Sequence, residues 1–141
     1  MNIDTLILFK IADELIGVDI TKVREVTELP ECIVVPQTPE FLLGIANIRG
    51  EVVPILSLRK RLGIQGDEIC NMILVVEEEG RTAGLRVDSL IGTKKIDSRL
   101  INTTSELLST KKERDFFLGV YEGDEKPILI INLTKVLARE L

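Results

Sequence analysis

Apolar residues along this chain recur in short blocks broken by glycine, proline or acidic pairs, a spacing that predicts many short strands rather than long helices. Thr5 to Ala12 is an almost unbroken apolar run, the pattern of a strand buried on both faces. Asp13-Glu14 supplies a turn and Leu15 to Ile20 returns, with Gly17 marking a bulge or a close backbone approach. From Thr21 to Glu28, charged residues bracket Val23 and Val26, which predicts a helical turn followed by strand or loop. Cys32 to Val35 is a short strand set between prolines. Thr38 is placed as a helix cap, Pro39 suits the first helical position and Gly44 the left-handed end, so one helical turn is expected over Pro39 to Leu43. Two β-rich runs follow, containing Ile45, Ile48, Val52, Val53, Ile55 and Leu56. They predict a hairpin turning at Gly50-Glu51, with Arg49 at a strand end beside the turn.

Leu58 to Gly63 reads as another helical turn, and Ile64 to Cys70 as the loop that separates two lobes. Asn71 to Val76 and Arg81 to Ile91 are strands joined through Glu77 to Gly80, and glycines 84 and 92 predict curvature. Thr93 to Ile96 continues that sheet. Ser98 to Asp115 is the most polar stretch and is expected to be the longest surface loop, with a helical turn at Ser105 to Leu108. Phe116 to Tyr121 and Pro127 to Ile131 form a last hairpin turning through Glu122 to Lys126. Asn132 then caps a C-terminal helix with Leu133, Val136, Leu137 and Leu141 on one face. About nine or ten strands with little helix predict an all-β, barrel-like protein whose core includes Phe9, Ile48, Ile55, Leu74, Leu85 and Ile130. The pattern alone does not separate one larger sandwich from two small barrels.

Composition narrows the function. With 141 residues and 45% hydrophobic content the chain is one domain able to bury a sizeable core. A net charge of −5 and a pI near 4.9 argue against a phosphate-binding face. The densest basic stretch, Arg59-Lys60-Arg61, reads as the solvated side of a short helix. No apolar run is long enough to span a bilayer, and the N-terminus lacks the basic and apolar regions of a signal peptide, so a cytoplasmic protein without direct membrane insertion is expected. Cys32 and Cys70 lack metal-site spacing and read as small core residues. The chain has no histidine, which removes the commonest general base, the Ser-His-Asp triad and histidine metal sites together. It has neither a dinucleotide fingerprint nor a phosphate loop. Glu77-Glu78-Glu79 reads as a solvated turn. No enzyme, no cofactor and no metal is therefore expected; surface apolarity and strand edges suit a binding module.

One stretch is more specific. Pro39, Phe41, Gly44, Asn47, Arg49 and Gly50, followed by Pro54, Leu58 and Arg59, fall in a pattern that resembles the CheW family of bacterial chemotaxis coupling proteins, and equally the homologous regulatory domain of the chemotaxis histidine kinase CheA. The family often carries Asp before Leu-Arg, where this chain has Ser57. The resemblance implies two intertwined SH3-like five-stranded lobes, a C-terminal helix and a shared apolar core. Lobe one would take about residues 13–70, and lobe two about 71–141 plus the N-terminal strand 5–12. It also implies a non-catalytic adaptor with two partners: the regulatory domain of CheA, paired through the first lobe, and the cytoplasmic tip of a chemoreceptor coiled coil, held in the groove between lobes. Arg49 matches the family's hallmark arginine, and Val23 and Glu25 match positions implicated in receptor contact and in pairing with that arginine. On the residues alone, Arg49 either closes a local pair with a carboxylate such as Glu25 or serves a partner. Asn47 and Gly50 read as turn-forming and Phe41 as core. Two other readings stay open: a regulatory domain cut from a larger kinase, against which the Met1 start counts, and a small-barrel nucleic-acid-binding module, which the acidic balance and only four Phe and one Tyr disfavour.

Overall fold

The computed structural model describes residues 2–123 and 126–138. Its strands are β1 (Thr5–Ile11), β2 (Glu14–Asp19), β3 (Val23–Glu28), β4 (Leu42–Ile48), β5 (Glu51–Ser57), β6 (Met72–Glu78), β7 (Arg81–Val87), β8 (Ser89–Lys95), β9 (Ile101–Asn102), β10 (Phe117–Tyr121) and β11 (Ile128–Ile131). Three short helices accompany them: α1 (Leu58–Leu62), α2 (Lys111–Phe116) and α3 (Leu133–Val136). One sheet has the order β3-β6-β7-β5-β4, the other β8-β1-β2-β11-β10-β9. The result is the two-lobed, SH3-like architecture that the resemblance implies.

The burial pattern explains why the strands read as nearly continuous apolar runs. Each sheet has one face inside its own lobe and the other in a core shared with its neighbour. On β5, Val53 and Ile55 fill the first lobe with Ile73 and Val75 of β6, while Leu56 joins the shared core with Leu74 and Val76. On β1, Leu6 and Leu8 fill the second lobe while Phe9 and Ile11 enter the shared core. Side chains alternate along a strand, so a strand with apolar layers on both sides needs an unbroken run. Gly17 and Gly84 mark close approach, because a Cβ would lie 2.8 Å from Leu6 at the first and 2.7 Å from Ile55 at the second.

The hairpins form as expected, but three of the turns fall one residue early or tighten. The first reverses at Ala12-Asp13 and the β4–β5 hairpin at Arg49-Gly50, in place of Gly50-Glu51. In the second, φ is 52° at Arg49 and 82° at Gly50, and the acidic β6–β7 hairpin repeats this with 51° at Glu79 and 78° at Gly80. Positive φ at both central residues is the geometry whose twist matches the strands it joins.

Other expectations are corrected. Pro39 to Leu43 is no helix: the Leu42 N–H bonds the Pro39 carbonyl in a tight turn, the Thr38 hydroxyl donates to the Val35 carbonyl, and β4 begins at Leu42. Gly44 sits in that strand at a register shift, where a Cβ would lie 2.5 Å from the Ile33 carbonyl oxygen. Cys32 to Val35 reduces to a single bridge between Ile33 and Ile45. Ile48 is half-buried, at the rim of the core. Arg81 to Ile91 is not one strand but two, breaking at Asp88 so that β8 crosses to pair with β1 in the other sheet. The polar 98–115 stretch holds β9 and α2, the latter capped by the reciprocal Thr110–Glu113 box.

Sheet membership also departs from a division at residue 70. β2 pairs with β1 in the second sheet, while β6 and β7 pair with β3 and β5 in the first. The first sheet is thus an insertion, 23–87, between two parts of the second. α3 is capped by Asn132, whose side chain accepts from the Lys135 N–H. Leu141 and the middle of the 122–126 turn lie outside the described residues.

Candidate functional site

The β4–β5 tip gathers four of the five candidate residues. Asn47 Oδ1 accepts from the Gly50 N–H at 2.9 Å, which locks the turn. This leaves Arg49 at the apex, its side chain 80% exposed, with Nε donating to Glu25 Oε2 at 2.7 Å. Beside it, Arg24 Nη1 donates to Glu51 Oε1 at 2.9 Å, and Arg24 Nη2 reaches Glu77 and the Thr82 hydroxyl. The hydrogen bond to Glu51, then that to Glu77, raises the pKa of Arg24 above its ordinary value. β3 and β4 are the opposite edges of their sheet, so the Arg49–Glu25 pair bridges two edges that no strand pairing connects. Val23 is not drawn into this cluster. It pairs with Val76 and packs half-buried against the shared core.

An apolar cleft of about 610 Å³ opens next to the tip. Phe41, Leu42 and the outward row of β5 form one side, Thr82 and Ala83 of β7 another, and Val136, Leu137 and Ala138 at the end of α3 the third. Val52, Pro54 and Leu56 alternate along β5 and share one face. Leu56 is buried, Pro54 half-buried and Val52 64% exposed, so the apolar row climbs from the cleft to the charged tip. Thr82 lines the cleft and binds Arg24, which joins the two features.

The basic run is where the sequence reading fails. Lys60 is exposed, but Arg59 and Arg61 are buried, 5% and 6% exposed. Arg59 pairs with buried Asp88 and donates to the Gln65 carbonyl at 2.6 Å. Asp88 Oδ2 also accepts the Ala12 N–H at 2.7 Å, so this pair ties α1 to the β1–β2 turn at the point where the chain crosses between sheets. Among the described residues, Arg59 Nε and Asp88 Oδ1 have no hydrogen-bond partner. The signal available in the sequence was Asp88 itself, a carboxylate inside the predicted strand of residues 81–91. Ser57, at the position where the resemblance prefers Asp, still does the work of an Asp: it caps α1 by accepting from the Lys60 N–H. Its hydroxyl also donates to Glu68, which lies 3.9 Å from Arg86.

Among the described residues there is no cluster of three or more His, Cys, Asp or Glu that could hold a metal, and no helix long and apolar enough to cross a membrane.

Comparison with known proteins agrees with this geometry. The model of the CheW-like domain matches residues 5–141. A probable chemotaxis protein CheW of Rhizobium etli is 32% identical over 130 residues, covering 91% of this chain and 83% of that one. The chemotaxis protein CheW of Rhizobium meliloti is 31% identical over 137 residues, covering 96% and 88%. The crystal structure of the scaffolding protein TtCheW from Thermoanaerobacter tengcongensis superposes with a TM-score of 0.85 at 33% identity, covering 99% of this chain and 90% of that one. A two-lobed barrel with a charged hairpin tip beside an apolar cleft, matched over nearly its whole length by these proteins, belongs to the family of CheW-like domains.

Proposed function

We propose that this chain is a non-catalytic cytoplasmic adaptor of bacterial chemotaxis. It couples the cytoplasmic tip of a chemoreceptor coiled coil to the regulatory domain of the CheA histidine kinase. The observation that carries the reading is the continuous path from the apolar cleft along Leu56, Pro54 and Val52 to the ion pairs at the tip. An amphipathic helix lays its apolar stripe into such a groove and meets charge at its flanks. Arg49 serves the partner rather than the fold. Its pair with Glu25 is largely exposed on the arginine side, and exposed pairs contribute only about 0–1 kcal/mol. Glu25 orients the guanidinium, Asn47 and Gly50 shape the turn that presents it, and Val23 borders the same lobe. The kinase contact lies on another face of the first lobe, so receptor state biases kinase state through two linked contacts without chemistry by the adaptor.

The test is reconstitution of a receptor cytoplasmic fragment, the kinase and this protein. Wild type is expected to bring both partners down together and to give receptor-dependent phosphorylation. Arg49→Ala is expected to keep kinase binding and lose receptor control. Loss of stability, kinase binding and control in equal proportion would sink the role of Arg49, and failure of wild type to bind either partner would sink the adaptor.

A further inference from the structure

Arg61 is enclosed by three elements that meet behind the cleft. Its guanidinium carbon lies over two aromatic rings, 4.5 Å from the Phe41 centroid and 4.9 Å from that of Phe116. Its Nε donates to the Val136 carbonyl at 2.9 Å, and Nη2 to the carbonyls of Lys135 at 3.0 Å and Ala138 at 3.2 Å. These carbonyls belong to the end of α3, and that of Lys135 also accepts the Ala138 N–H at 3.2 Å. Two of the groups Arg61 holds are walls of the cleft: Phe41, and the stretch from Val136 to Ala138.

A four-residue helix has little stability of its own, so its position follows whatever holds its ends. We infer that Arg61 is a positioning residue that sets the width of the cleft, and through that width the fit of the receptor helix. The inference rests on the reading of the cleft given above. Only arginine suits the place. Its planar fork spans several carbonyls while its centre sits over two rings, whereas lysine offers a single point of charge on a flexible stem. The guanidinium needs no contact with the partner; it acts through α3 and Phe41.

The experiment compares wild type, Arg61→Lys and Arg61→Met, well below their melting temperatures. Met keeps apolar bulk against the rings and removes the grip on the carbonyls, so it holds the packing if Lys fails to fold. Binding is measured to a soluble chemoreceptor cytoplasmic fragment and, separately, to the kinase regulatory domain. Hydrogen exchange is followed at the amides of Val136 and Leu137, which bond Asn132 and Leu133, with Ile73 of β6 as the reference. Both variants are expected to bind the receptor fragment about tenfold more weakly, the loss of about one fixed contact, with kinase affinity within about twofold of wild type. Exchange at Val136 and Leu137 quickens while Ile73 stays protected. Unchanged receptor affinity overturns the inference, as does a parallel fall in both affinities that tracks the unfolded fraction. If wild type does not bind the fragment, the reading of the cleft falls and this inference with it; quickened exchange at α3 in the variants identifies that failure as one of partner and not of Arg61's hold.

Discussion

The β4–β5 tip and helix α1 occupy one short stretch of chain and both present arginine, yet they use it in opposite ways. At the tip, Arg49 is 80% exposed and meets Glu25 over a single hydrogen bond, in a setting where solvent weakens the attraction. In α1, the side chains of Arg59 and its partner Asp88 are 6% and 3% exposed, at the crossing between the two sheets. Of the two, the exposed arginine closes a solvated pair, and the run that reads as solvated charge supplies the buried one. A side chain that contributes little to folding is free to serve a partner; one that closes a buried charge is not.

The sharpest way to break this contrast is to remove Arg59. Arg59→Ala strands the Asp88 carboxylate in the interior and is expected to cost about 3–5 kcal/mol in chemical denaturation, against an exposed pair's near-zero at Arg49. A loss under about 1 kcal/mol would mean that water reaches Asp88 and that the two arginines differ less than their burial says.

Next is the cap between the two regions. Ser57→Ala is expected to cost about 1 kcal/mol by leaving the first turn of α1 uncapped. Ser57→Asp restores the capping oxygen but sets a second carboxylate against Glu68, so it is expected to melt below wild type at pH 7. A variant that melts above wild type at pH 7 would show that Glu68 turns away readily.

Smaller still is the effect at the tip. Arg49 holds φ at 52°, a conformation that glycine adopts freely. Arg49→Gly therefore trades a weak ion pair for backbone relief, and its denaturation midpoint is expected to stay within about 0.5 kcal/mol of wild type while receptor coupling is lost. Strong destabilisation of this variant would move Arg49 into the structural class.

The smallest effect lies at a third arginine, fully solvated. The Arg99 side chain and then its backbone N–H hydrogen-bond Asp97 and lower its pKa from 3.8 to about 2. A carboxyl depressed in the folded state adds stability above its unfolded pKa and loses it as pH falls toward the folded value, here between about 4 and 2. Carboxyl NMR titration is expected to place Asp97 near 2 in wild type and higher in Arg99→Ala, where only the backbone N–H of position 99 still holds the carboxylate.

Much of this molecule is legible from the order of its residues. The hairpins and the α1 and α3 caps at Ser57, Gly63 and Asn132 follow from contacts between residues close in sequence, where propensity and turn chemistry act directly. The double-faced burial of β1 was readable from its unbroken apolar run. The Thr110-x-x-Glu113 box was legible too, and the polarity around it hid α2. Arg49 and Glu25 come from the resemblance, and their pairing was one of two alternatives for Arg49 that the residues left open.

By itself, then, the sequence determined the strand-rich class, most turns and caps, and the alternation that assigns each side chain to a face, because these depend on residues a few positions apart. Tertiary structure decided which sheet each hairpin joins, that Asp88 ends one strand and starts another, and that Arg59 and Arg61 turn inward. It also decided that Pro39 to Leu43, with the local signals of a helix, becomes a turn into β4. The partners that settle these matters are far along the chain: Asp88 for Arg59, the end of α3 for Arg61, Ile33 and β5 for the segment around Gly44. A local pattern records that a residue is charged or apolar, but whether burial is favourable depends on which distant group the fold brings to meet it.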